Sequence, residues 1–106
     1  GTQHAGALLT LGEAASGASS VFLFADKVLM VKAAISSATI EYIRGARGVI
    51  QAFGKLRGSG EEILAEFNTE GRVKYVVDVS LKDSKKREVA KMEVHWSVQI
   101  NQPAAS

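Results

Sequence analysis

Apolar and polar residues alternate cleanly over the last third of the chain. Val73, Tyr75, Val77, Val79 and Leu81 take every second place, and Arg72, Lys74, Val76, Asp78, Ser80 and Lys82 fill the gaps. After a turn around Asp83-Ser84-Lys85, the alternation resumes. Ala90, Met92, Val94, Trp96, Val98 and Ile100 alternate with Lys91, Glu93, His95, Ser97 and Gln99. A period of two with one polar face predicts two half-buried antiparallel strands. Met30 to Ile43 predicts another strand, with Ala38, Ile40 and Tyr42 on one face and Thr39, Glu41 and Ile43 on the other. Gly45 to Gly48 reads as a turn, and Val49 to Arg57 as a further strand. Gly54 interrupts that strand, which predicts a bulge or a close approach.

Two segments carry a helical pattern instead. Ser59-Gly-Glu-Glu62 fits a capping box, with Ser59 as N-cap and Glu62 three residues on. Ile63, Leu64 and Phe67 follow at helical spacing, and Gly71 is placed to end the helix. From Ala5 to about Phe24 small residues are dense and apolar bulk comes from Leu8, Leu9 and Leu11. This reads as a long helix, although each glycine inside it costs about 1 kcal/mol relative to Ala. Such a helix has a packing reason: its small side chains let another backbone come close. The expected fold class is α+β, an antiparallel sheet wrapped around the long helix, with a short extra helix between strands. Residues 1–4 are expected to be a lead-in, Asp26-Lys27 a turn and 101–106 a flexible tail.

Composition narrows the function classes. With 106 residues, one domain and one core are expected. Hydrophobic residues at 46% and charged residues at 23% suit an ordinary globular chain and exclude a fibre or a coiled coil. The net charge is only +2, and no run of like charge exceeds Lys85-Lys86-Arg87, so nucleic acid is not expected as a partner. That run reads as a solvated turn. The stretch from Ala18 to Val31 is interrupted by Asp26 and Lys27 and is too short to span a membrane, so no membrane is expected either. Cysteine is absent, which excludes thiolate chemistry. Two distant histidines, His4 and His95, make no metal site. Nothing demands secretion, and a cytoplasmic location is expected.

The candidate chemistry lies in His4-Ala-Gly-Ala-Leu-Leu-Thr-Leu-Gly-Glu13-Ala-Ala-Ser-Gly17. Free backbone N–H groups and the positive end of the helix dipole favour an anion, including the oxyanion of a reacting carbonyl. The amides of Ala5 and Gly6 stand where the long helix starts. Glu13 is the only acidic residue between Gly1 and Phe24. A carboxylate there can serve as a general base toward water or as a nucleophile. A lone Glu in a small-residue helix is, however, more often solvated or paired than catalytic. Glu13 lies nine residues after His4 and cannot easily serve the amides of its own subunit. His4 either binds substrate or caps the turn. Arg44 and Arg47 suit phosphate, or are solvated surface. Trp96 reads as core.

This motif resembles that of the hotdog-fold acyl-CoA thioesterases, closest to the phenylacetate-pathway branch and its uncharacterised relatives. The likeness continues through Ser37-Ala-Thr-Ile-Glu-Tyr-Ile-Arg-Gly-Ala-Arg-Gly48, with Gly45 where the family has Pro. It extends through Asp78-Val-Ser-Leu-Lys-Asp83 and Glu88-Val-Ala-Lys-Met-Glu-Val94. The family's leading helix and first strand have no counterpart before His4.

The resemblance implies a homodimer, or a dimer of dimers, with sites at a two-fold interface where one subunit's amides face the other's acid. It implies hydrolysis of an acyl-CoA or acyl-carrier thioester by Glu13, with the Ala5 and Gly6 amides as oxyanion hole. His4, Gly17, Arg44 and Arg47 would lie toward substrate. No cofactor is implied; coenzyme A arrives as part of the substrate. Gly17 stands where some relatives carry a hydroxyl that positions water, and Ser16 is adjacent but on another face. A non-catalytic hotdog that binds acyl-CoA or another apolar ligand, or a structural assembly domain, fits the same residues.

Overall fold

The computed structural model describes residues 5–24, 31–45 and 48–100. The lead-in at 1–4, the turn at Asp26-Lys27 and the tail at 101–106 lie outside the described residues. The order of elements is α1 (Ala5–Leu23), β1 (Val31–Tyr42), β2 (Gln51–Leu56), α2 (Gly60–Glu70), β3 (Arg72–Lys82) and β4 (Glu88–Ile100). The four strands form one antiparallel sheet in the order β1-β4-β3-β2. The alternating segments thus become the two central strands, which are the ones that need a buried face along their whole length. Val73, Tyr75, Val77, Val79 and Leu81 of β3 are buried, as are Val89, Ala90, Met92, Val94 and Val98 of β4. Leu8 of α1, Phe24 just after it, and Ile63 and Phe67 of α2 close the core from the same side.

The small residues of α1 have the expected use. A Cβ on Gly12 would stand 1.9 Å from Met92 Sδ. From the strand side, a Cβ on Gly54 would stand 2.9 Å from Ser19 Oγ and 3.1 Å from the carbonyl oxygen of Ala15. Gly54 is therefore a close approach and not a bulge, since the β2–β3 register runs through it unbroken. β2 is shorter than the pattern predicts: Val49 and Ile50 precede it, and Val49 is exposed.

α2 is built as its sequence requires. Ser59 Oγ accepts from the N–H of Glu62 at 3.4 Å, and Gly71 takes a left-handed conformation (φ 75°) with its N–H bonded to Phe67 O at 2.8 Å. The β3–β4 turn is organised by Asp83, whose side chain is 2% exposed. Its carboxylate accepts from the N–H groups of Lys85 and Arg87 and from Arg87 Nε at 2.9–3.0 Å. Arg87 is therefore not simply part of a solvated charge run. It closes the hairpin, because a buried carboxylate needs a cation and donors.

β1 departs from the expected pattern at one place. Its register on β4 shifts between Ile35 and Ser37, a bulge. Val31, Ala33 and Ile35 consequently share the helix-facing side with Ala38, Ile40 and Tyr42, whose β4 partners are Val94, Met92 and Ala90. No helix among the described residues is long and apolar enough to cross a membrane.

Candidate functional site

α1 opens at Ala5 and Gly6, its first two residues. The first four N–H groups of a helix have no partner within it, so this end can receive an anion. Glu13 lies eight residues on, about 12 Å along the axis at 1.5 Å per residue. The acid and the amides of one chain are therefore too far apart to act on a single carbonyl. His4 and Arg47 lie outside the described residues. Arg44 follows β1 with an exposed side chain, and its N–H bonds to Val89 O at 3.3 Å.

The packing of α1 decides where Glu13 stands. Leu8, Gly12 and Ser16 are buried on the row that faces the sheet. Ala15 and Ser19 meet Gly54 on β2, whereas Ser16 and Gly17 meet Trp96 on β4. Glu13 shares a helical row with Gly17, four residues on, so it belongs to the β4 flank. It is half-buried there. α1 packs chiefly on β2 and β3, less on β4. The Glu13 flank thus looks past half-buried Trp96 toward β1, the strand that α1 does not cover, with half-buried Ile35 and Ile40 on its helix-facing side.

Ser16 carries a contact that the sequence did not reveal. Its hydroxyl, fully buried, donates to Glu13 O at 2.8 Å and accepts from Trp96 Nε1 at 3.2 Å. Trp96 is therefore half-buried and hydrogen-bonded to the helix, not plain core. With both bonds made, the Ser16 hydroxyl is held inside and does not turn toward Glu13's carboxylate side. A Cβ on Gly17 would lie 3.8 Å from the Trp96 ring, an ordinary van der Waals contact.

A second feature lies on the opposite face of the sheet. A groove of about 810 Å³ runs past Thr39, Glu41, Phe53, Lys55, Ser80 and Lys91. Asp78 and Glu93 on its wall share one cation. Arg57 donates through Nε to Asp78 at 3.0 Å and through Nη2 to Glu93 at 2.6 Å. The hydrogen bond from Arg57 holds the Glu93 carboxyl below the usual range. His95 is partly exposed, with Nε2 3.7 Å from Glu93. Arg57 was not singled out in the sequence; the signal was its place one residue beyond a strand, opposite alternating polar positions. Within it, Arg57 neutralises Asp78 and Glu93. No group of three or more His, Asp or Glu among the described residues is placed to hold a metal ion.

A four-stranded antiparallel sheet packed on one long, small-residue helix defines a hotdog-fold domain. The chain belongs to the family described as domain of unknown function DUF4442, whose pattern matches residues 1–98. No curated protein sequence matches it. Among solved structures, a Pseudomonas aeruginosa protein of unknown function, called a probable thioesterase, is similar at TM-score 0.78 and 24% identity. The match covers 95% of this chain and 67% of that one. A Bacillus halodurans protein solved with CoA matches at 0.70 and 20%, over 92% of this chain and 56% of that one. A thioesterase mutant from Staphylococcus aureus matches at 0.74 and 20%, over 93% and 72%. This chain is thus shorter than each of these relatives. At these identities the likeness establishes the shared fold.

Proposed function

We propose that this protein hydrolyses an acyl-CoA or acyl-carrier thioester at the interface of a homodimer. The observation that carries the reading is the position of Glu13: half-buried, on the flank of α1 toward β1, the strand that α1 does not cover. Glu13, as base, takes a proton from water as the water attacks the thioester carbonyl. As nucleophile it would attack the carbonyl itself and form an anhydride. In either case negative charge grows on the carbonyl oxygen. The Ala5 and Gly6 amides of the second protomer are the donors assigned to it, because those of the same protomer are too distant. The coenzyme leaves as its thiol. His4, Gly17, Arg44 and Arg47 are assigned to the substrate side, the arginines toward the phosphates of coenzyme A. The reading needs no metal or redox group and fits a cytoplasmic setting. Support comes also from the solved relatives, one named as a thioesterase and one solved with CoA.

One observation favours a second reading, a domain that binds acyl-CoA without turning it over. Gly17 has no hydroxyl, and that of Ser16 is tied to Trp96 and to the Glu13 carbonyl. Thiol release from a panel of short, long and aromatic acyl-CoAs separates the two. Turnover that falls by about 10²–10⁴-fold in Glu13→Gln is expected for the hydrolase. Full activity in Glu13→Gln overturns the role of Glu13. Tight binding with no turnover in the wild type establishes the binder.

A further inference from the structure

Trp96 is the only tryptophan in the chain. It faces α1 from β4 and is half-buried, although Val94 and Val98, the next residues on that face of the strand, are closed to solvent. Its ring lies beside the row of α1 that carries Glu13. Leu9, Glu13 and Gly17 stand four residues apart on that row. Leu9 fills one side of Glu13 with a side chain, and Gly17 leaves the other side bare. Cζ2 and Cη2 of the indole lie 3.8 and 4.0 Å from the place where a Gly17 Cβ would stand. Half-buried Ile35 is the β1 partner of Trp96 and shares its face of the sheet.

We propose that Trp96 is the end wall of the acyl site and sets the longest acyl chain that the site accepts. The proposal rests on the reading that a thioester is held at Glu13, and it names the residue that selects among thioesters.

A chain that leaves a thioester carbonyl beside Glu13 meets Leu9 in one direction along the row. In the other it has room over Gly17, where no side chain projects, and the indole stands at the end of that path. Gly17 lies four residues beyond Glu13, about 6 Å along the axis. A long side chain on a helix leans back over the preceding turn, which adds about 4 Å on the side of the carboxylate. The path is then about 10 Å, the length of an extended chain of about eight carbons. A wall limits length only if it stays in place. The indole N–H donates to Ser16 Oγ at 3.2 Å, and that hydroxyl donates to the Glu13 carbonyl oxygen at 2.8 Å. The ring is thus anchored to the backbone of the acid itself, and the distance from acid to wall is held by two hydrogen bonds. Swinging the ring aside would take a donor from a fully buried hydroxyl. Packing alone does not account for the half-exposure of an indole between two fully buried valines. A chain end that covers the ring together with Ile35 does, since both surfaces are apolar.

The single tryptophan makes the test direct, because its fluorescence reports this one position. Bromine quenches an indole on contact. An acyl-CoA brominated at the terminal carbon of a chain of about eight carbons is expected to quench about twofold more than its unbrominated counterpart, and a brominated two-carbon chain no more than its own. This measurement uses the unaltered chain and does not depend on the folding of a variant. In the wild type, affinity and kcat/KM are expected to rise with chain length to about eight carbons and then to fall. In W96A the rise continues. The preference for a twelve-carbon over an eight-carbon chain is expected to grow by up to about 10²-fold, four methylenes at about fourfold each. W96F is expected to move this ratio the same way by less, and S16A, which releases the ring, likewise. A tryptophan that only supports the fold lowers all chain lengths alike. An unchanged ratio in W96A and W96F, or no added quenching by bromine at any length, overturns the wall, and an unchanged ratio in S16A overturns the anchor. Quenching and a length limit in binding without thiol release keep the wall and remove the proposed hydrolysis. Thiol release with a length profile indifferent to W96A and W96F does the reverse, and neither binding nor release removes both.

Discussion

Gly54 shows how much of this fold turns on single atoms. The Ala15 carbonyl and Ser19 hydroxyl of α1 reach the strand because nothing projects from Gly54. Gly54→Ala is expected to cost about 1–3 kcal/mol, since a Cβ meets helix backbone that cannot rotate away. Urea denaturation measures the loss. Adding Ser19→Gly should recover only part of it, because the Ala15 carbonyl remains; full recovery would mean that the hydroxyl alone sets the limit. Gly12 differs in kind. Its close neighbour is the sulfur of Met92, on a flexible side chain that can move. Ser16 adds a polar tie to this apolar contact, joining α1 to β4 through Trp96. The tie sits one turn from Glu13, so it also holds the backbone from which that carboxylate projects.

Among the elements, the β3–β4 hairpin carries the clearest dependence on pH. Asp83 accepts the Arg87 backbone N–H, then its side chain and the Lys85 N–H, and these bonds outweigh desolvation and hold its carboxyl below the usual range. The folded state therefore takes up this proton less readily than the unfolded chain. The stabilisation is complete above the unfolded carboxylate pKa and is lost as pH falls through the lower folded value. Asp83→Asn is expected to be less stable than wild type near neutral pH, with the gap closing in acid. Urea midpoints from about pH 7 down to about pH 2 check this. A gap that stays constant across the range would assign the effect of Asp83 to shape instead of charge. The legibility of the elements varied for a physical reason. α2 was readable to its caps because a capping box and a C-terminal glycine are local devices. The bulge in β1 was not, because Ile35-Ser36-Ser37-Ala38 contains no glycine or proline to mark it. It exists only relative to β4.

At the scale of the molecule, three strands of the sheet meet α1 and the fourth, β1, does not. α1 lies over β2 and β3, while β1 is exposed along most of its length, as are Tyr42 and Ile43 at its end. The homodimer proposed above would be stabilised by mass action. The apparent Tm is thus expected to rise with protein concentration over a hundredfold range, as read by scanning calorimetry. A Tm independent of concentration would mean that the monomer is stable by itself.

The amino-acid sequence alone determined the elements, the buried faces of β3 and β4 and the caps of α2. Periodicity and capping act over a few residues and do not need the rest of the chain. It also singled out Glu13 and the start of α1, because one acid in a run of small residues stands out. Only the tertiary structure decided that Glu13 belongs to the β4 flank, since that depends on how the helix is rotated against Met92, Trp96 and Gly54. Only there do Arg57, Asp78 and Glu93 meet, across residues far apart in the chain. The bulge of β1 against β4 belongs to the same class: it is a relation between two strands, and a single segment cannot encode it.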